Sequence, residues 1–208
     1  MKGEIEVTGW AEDRALPDRA VIEVTTDASG KSSATAYRSA LAGAARVDAV
    51  LENHAAAIER TQVANVSIRE TSVYRDGEHI PTGWSASRRS KVEVIDFDAL
   101  TPLVADLAQA GATIDGPRWE VDATNAVHDA VRAAAAGDAR RRAEAYSSGL
   151  GIGVGGVRRV IEPGSRATVT AYSDHPMALA SMSDEMAIEP ADLQVTATVT
   201  VIFAVGDA

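Results

Sequence analysis

The sequence predicts an α+β fold: a mostly antiparallel sheet with three helices covering one face, in the order ββ-α-ββ-α-β-α-ββ. Three observations lead there. Residues 193 to 205 alternate between an apolar and a threonine-rich face, the period-two signature of a half-buried strand. Three other stretches repeat their apolar residues every three or four positions, as amphipathic helices do. Strand-like runs follow one another through turns or through one of these helices, which favours antiparallel pairing with the helices kept to one side.

Ile5 to Thr8 reads as a short strand ending at Gly9, and Arg19 to Asp27 as a second, with Ala20, Ile22 and Val24 on one face. Between them Leu16-Pro17-Asp18 is turn chemistry, because proline fixes φ and the aspartate accepts a local backbone hydrogen bond. Ser32 or Ser33 caps a helix running to about Ile58, about 35 Å long at 1.5 Å per residue. Its stripe is Tyr37, Leu41, Ala44, Leu51, Ala55 and Ile58, interrupted by Asp48 with Val47 beside it.

Val63 to Tyr74 and Trp84 to Phe97 form a hairpin with a long loop around Asp76-Gly77 and Pro81. Asp98 to Ala110 is the clearest helix, with Leu100, Leu103, Val104, Leu107 and Ala108 on one face and Gly111 as its stop. A strand over about 117 to 123 turns Trp119 and Val121 inward. The third helix, about 125 to 148, carries Val127, Val131, Ala135, Ala139, Ala143 and Tyr146 on its stripe. Gly149 and Gly151 end it, and Val154 to Glu162 is a strand. Residues 163–190 lose periodicity and read as a long loop, before the final strand from Leu193 to Val205. No internal boundary is visible, so residues 1–208 are expected to form a single domain.

Thirty acidic against twenty basic residues give a net charge of −10, which repels nucleic acid and anionic membranes. The basic groups, such as Arg140-Arg141-Arg142 and Arg158-Arg159, are short and scattered, so no nucleic acid is expected as a partner. The chain has no cysteine, which removes thiolate catalysis, disulfides and cysteine-ligated metals. No run approaches the roughly 18 apolar residues of a membrane span, and no signal-peptide pattern opens the chain, so a cytoplasmic protein is expected unless a leader was removed.

Local catalytic signatures fail one by one. Gly151-Ile152-Gly153-Val154-Gly155-Gly156 resembles a phosphate loop, but it follows a helix and opens a strand, the reverse of the dinucleotide order, so it reads as a helix stop. His54, His79, His128 and His175 lie far apart without paired spacing and read as surface residues. Ser85 lacks the second glycine of a nucleophile elbow. Trp84 and Trp119 are expected in the core, Trp10 at an interface. The expected catalytic, cofactor and metal residues are therefore none. The most unusual segment is the 163–190 loop with Tyr172, His175, Met177, Met182 and Met186: its plain reading is a loop pinned onto the fold by its methionines, and the alternatives are an adaptable contact surface or a soft Cu(I) site of thioethers and imidazole.

Four stretches carry a resemblance to a known family. They are Val7-Thr8-Gly9 before Asp18-Arg19-Ala20-Val21-Ile22; Gly83-Trp84-Ser85-Ala86-Ser87 with Val92-Glu93-Val94; Asp96-Phe97-Asp98-Ala99-Leu100 with Ala110-Gly111-Ala112; and Ile188-Glu189-Pro190 before the last strand. In these the chain resembles the SIMPL domain, found in bacterial periplasmic immunogenic proteins and in a mammalian protein that binds an interleukin-receptor-associated kinase. The resemblance implies an α+β fold, ring-like homo-oligomers and stress or signalling roles, with no agreed molecular activity. The expected function is that of a non-enzymatic, self-assembling interaction protein. The alternative is a small-ligand binder or enzyme whose site is assembled from distant residues at subunit junctions.

Overall fold

The structure, a computed structural model, describes residues 3–75, 77–162, 168–171 and 188–207. In chain order its elements are β1 (Gly3–Ala15), β2 (Arg19–Gly30), α1 (Ser33–Asn53), β3 (Ile58–Arg75), β4 (Glu78–Val94), α2 (Leu100–Gln109), β5 (Thr113–Glu120), α3 (Ala126–Leu150), β6 (Ile152–Ile161), β7 (Thr168–Ala171) and β8 (Leu193–Asp207). Single 3₁₀ turns at Ala55–Ala57 and Phe97–Ala99 precede β3 and α2. The α+β class and the antiparallel pairing are as the sequence predicts. The strands, however, fall into two four-stranded sheets, and each sheet forms a compact unit with its own helices.

In the first unit β8 lies at the centre, between β1 and β6, and also pairs with β7. Its predicted apolar face is buried at Leu193, Val195, Val199, Val201 and Phe203, while Thr198 on the other face is exposed. Helix α3 closes this core: Ala135, Ala139 and Ala143 pack on Val7, Val199, Val201 and Phe203. Such small side chains let the helix lie almost on the strand. At Gly9 the contact is backbone to backbone, since a Cβ there would stand 2.1 Å from the Ala135 carbonyl oxygen and 2.5 Å from the Ala139 nitrogen. Gly9 is thus a crossing point within β1, which runs on to Ala15 instead of stopping there. One residue later the Trp10 amide donates to Asp138 Oδ2 at 3.1 Å. That amide, with the guanidiniums of Arg142 and Arg141, holds the Asp138 carboxyl below the usual aspartate range.

Asn125 caps α3 by accepting from the Val127 amide at 2.9 Å, and Gly151 ends it at φ +67°. The glycine run is therefore a helix stop and strand entry. The stripe departs from expectation at both ends. His128 and Ser147 are buried where Val127 and Tyr146 were expected, and Tyr146 is 63% exposed. His128 is consequently no surface histidine, and its Nε2 and the Ser147 hydroxyl are buried without a hydrogen-bond partner among the described residues.

In the second unit the strand order is β3-β4-β2-β5. Ala20, Ile22 and Val24 of β2 and Val92 and Val94 of β4 meet Val47 and Leu51 of α1 and Leu100, Leu103 and Leu107 of α2. Phe97 and Trp119 stack edge to face at 5.0 Å on the rim of this core, and Ile188 packs against it. The α1 stripe is rotated from its predicted position. Ala36, Ala40, Ala44, Val47 and Leu51 are buried, and Tyr37 and Leu41 are 44% and 50% exposed. The cause is again close approach. A Cβ on Gly30 would stand 2.5 Å from the Ala36 nitrogen, so the first turns of α1 leave room only for alanine. Ser32 caps this helix and it ends at Asn53, five residues short of Ile58, which opens β3.

The expected long hairpin loop is absent. Arg75 pairs with Glu78, Gly77 adopts φ +87°, and Pro81 lies within β4 opposite Ser72. Proline is tolerated there because β2 pairs with β4 only from Trp84 onward, so no bond to β2 is lost. Strand β5 lies four residues earlier than predicted and ends at Glu120, so Val121 is outside it. On the face away from the helices, Glu93 is buried between Lys91 at 3.0 Å and Arg19 at 3.1 Å, and Arg19 also reaches Glu59 at 3.2 Å. Lys91 first, then Arg19, hold the Glu93 carboxyl below the ordinary glutamate value against the opposing effect of burial.

Three outcomes follow from this packing. Gly9→Ala should cost about 3 kcal/mol in denaturant unfolding, because the clash is with helix backbone and cannot be relieved by a rotamer. Val199→Asp should unfold or aggregate the protein, whereas Thr198→Asp, on the wet face, should melt within a few degrees of wild type. Glu93→Gln should lower stability by about 1–2 kcal/mol at neutral pH. With the folded pKa depressed, that contribution is complete above the unfolded glutamate pKa and lost as pH falls through the folded one. The gap between variant and wild type should therefore narrow on acidification, and a gap that stays constant as pH falls through the carboxylate range would contradict the ion-pair account.

Candidate interaction surface

Helix α1 lies over β2 and β4 and leaves the inner face of the edge strand β3 largely uncovered. The register places Val63, Val66 and Ile68 of β3 beside Ser90, Arg88 and Ala86 of β4, on the helix side of the sheet. These three side chains are 48%, 56% and 44% exposed. Facing Val66 and Ile68 across a gap are Tyr37 and Leu41, the residues turned out of the core by the tight seating of α1. The gap is a shallow apolar groove of about 100 Å³, floored by Ala40, Ala44 and Ala86.

Arg88 lines the far end of this groove and also a wider, polar one of about 440 Å³, where Asp48, Glu52, Glu59 and Arg60 stand around Leu51 and Ile58. The Arg88 guanidinium reaches Asp48 Oδ2 at 2.8 Å, so this end is already internally paired. The trough as a whole has an oily half and a charged half. The aspartate that interrupts the predicted α1 stripe marks the boundary between them.

Nearby titratable groups have structural uses. His54 Nε2 and Asp106 Oδ2 lie 2.8 Å apart and join the end of α1 to α2, so His54 is a half-buried clamp and no free surface histidine. Arg46 donates from Nε to the Ala110 carbonyl at 3.2 Å, tying the same two helices. His79 is exposed near the hairpin turn and stacks on Tyr74 at 5.1 Å. Ser85 is half-buried in β4, opposite Arg69 and Ser29. Among the described residues no group of three or more histidine, aspartate or glutamate side chains is placed to hold a metal ion. No helix among them is long and apolar enough to cross a membrane.

The loop residues expected to form a contact surface, Tyr172, His175, Met177, Met182 and Met186, lie outside the described residues. The groove was not foreseen. Its signal in the sequence was the pair Tyr37 and Leu41, whose spacing suits either a core stripe or an exposed flank.

The model of the SIMPL family, a protein of unknown function (DUF541), matches residues 5–203. The uncharacterized protein YggE of Escherichia coli K12 is 28% identical over 206 residues, which covers 96% of this chain and 82% of that protein. The YggE proteins of Escherichia coli O157:H7 and Shigella flexneri match to the same extent. Among solved structures, a hydantoinase/carbamoylase family amidase from Burkholderia ambifaria overlaps 48% of this chain and 27% of its own, at 13% identity and a TM-score of 0.31. That overlap is too slight to bear on fold or function. The family match, by contrast, spans nearly every element described above, and the chain belongs to the SIMPL family.

Proposed function

We propose that the protein acts by assembly: a non-enzymatic interaction protein that forms a ring-like homo-oligomer. The observation that supports this reading is the apolar surface at Tyr37, Leu41, Val66 and Ile68, with Val63 exposed farther along β3, which no element among the described residues of its own unit covers. A chain that leaves four large apolar side chains around one groove gains by covering them, and a second copy is always at hand. A net charge of −10 keeps such a chain from associating indiscriminately, so contact has to be confined to a matched patch.

A small-molecule reading has less in its favour. The apolar groove holds about 100 Å³, against roughly 300–1,000 Å³ for pockets that enclose a metabolite. The wider polar groove is open, and its central arginine is already paired.

Sedimentation velocity at micromolar concentration should give a mass several times that of the 21.7 kDa chain. The double variant Val66→Lys, Ile68→Lys should keep its circular dichroism spectrum and sediment as a smaller species, because both positions are on the exposed groove wall. A wild-type protein that stays monomeric at 100 μM would overturn the proposal. Native mass spectrometry of the same sample tests the alternative, since a retained small molecule would appear as a discrete mass increment.

A further inference from the structure

Helix α1 carries its charges the wrong way round for an isolated helix. Its first turn has no acidic residue and its last turn no basic one. On the solvent face, Arg38 lies towards the N-terminal end and Glu52 in the last turn. A helix macrodipole is positive at its N-terminus, so both placements oppose it. Arg46, which would mitigate this, is turned aside to the Ala110 carbonyl, and Asp48 is paired with Arg88.

The same face has a second regularity. Arg38, Leu41, Ala45, Ala49 and Glu52 are all exposed, and they stand seven and four residues to either side of Ala45. Residues at such separations share one stripe of a helix surface. The stripe is its own complement when read backwards. Laid antiparallel on a second α1 with the two-fold axis at Ala45, it sets Arg38 against Glu52 of the second copy, Leu41 against Ala49, and Ala45 against itself. Each large residue meets a small one, and each charge meets its opposite, twice over. The antiparallel arrangement also brings each helix's misplaced charge to the partner's end where the dipole favours it.

We infer that α1 is a self-recognition helix, pairing antiparallel with α1 of a second copy of this chain about a two-fold axis through Ala45. This rests on reading the protein as self-assembling and names the contact. The axis lies beside the groove, so the partner helix also shields Leu41 and Tyr37, the two large apolar residues α1 presents to solvent. Alanines at the axis allow the helices to approach to about 8 Å, at the close end of helix packing distances. An isologous contact of this kind makes one two-fold interface, and a ring needs a second, different one, for which the β3 face remains.

The test is a charge-reversal cycle read by sedimentation equilibrium in 50 mM salt. Arg38→Glu and Glu52→Arg each replace two attractive pairs by two repulsive ones and should weaken the dimer step at least fivefold. The double variant restores opposite charges across the axis and should return to within about twofold of wild type. Both sites are exposed, so melting temperatures of the dissociated chains should stay within a few degrees of one another. Single variants that associate as tightly as wild type, or a double variant no tighter than the singles, would overturn this contact while leaving self-assembly intact. A wild-type chain that never associates would overturn both this inference and the proposed function.

Discussion

Close approach between helix and strand governs this protein. At Gly9 the backbone of β1 meets the backbone of α3, and at Gly30 the end of β2 meets the first turn of α1; in both places a single added carbon would stand within about 2.5 Å of helix backbone. Contacts that tight favour alanine on the helix side, which is why Ala135, Ala139 and Ala143 of α3 and Ala36, Ala40 and Ala44 of α1 are among the buried residues. Alanine carries little hydrophobic surface, so at these contacts the stabilisation comes from dispersion between well-fitted backbones and from caps that fix each helix start, Ser32 and Asn125. The low aromatic content, 4% of the chain, is a consequence: there is little space for rings between these layers.

The same constraint explains what was legible in the sequence. Strand β8 was readable almost residue by residue, because a period of two over thirteen positions has no helical interpretation. Helix α2 was readable because its leucines leave one face to bury and Gly111 ends it. Helix α1 was legible as a helix but not in its rotation. Periodicity ranks Tyr37 and Leu41 above Ala36 and Ala40 as core residues, whereas interlayer distance, a tertiary quantity, reverses that order. The burial of His128 and Ser147 on α3 has the same origin, since their stripe is chosen by the alanines between them. Division into two sheets was not legible at all. It depends on which distant strands pair, as β1 does with β8 across nearly the whole chain, and local pattern carries no record of that. The groove between α1 and β3 inherits both failures, because it needs the rotation of one element and the edge position of another.

What the tight seating excludes from the core it delivers to the surface. Tyr37 and Leu41 become one wall of the groove, and the outward stripe of α1 is left with Leu41, two alanines and an opposite charge at each end. Two copies of a chain at −10 repel at long range, but that repulsion is screened beyond about 8 Å at physiological salt. Inside that distance only the local pattern counts. A stripe whose ends carry opposite charges then distinguishes the antiparallel from the parallel arrangement, because the parallel one sets like against like.

Edge pairing between strands is the competing route to assembly, and β3 is built against it. Although β3 spans 18 residues, its register with β4 shifts between Ile58 and Arg60 and again between Val63 and Asn65. Each extra residue twists the strand and reorients its outward amides and carbonyls, so an incoming strand cannot stay in register over its first half. The remaining half carries Arg69 and Glu70 near its middle. A two-fold antiparallel pairing centred on either residue would set that charge against its own copy, a repulsive contact at the heart of the ladder. Strand addition is thus obstructed along this edge, and Val63, Val66 and Ile68 of β3 point to the helix side of the sheet. A partner that covers Val66 and Ile68 therefore has to approach over that face, alongside α1, where the self-complementary stripe already lies.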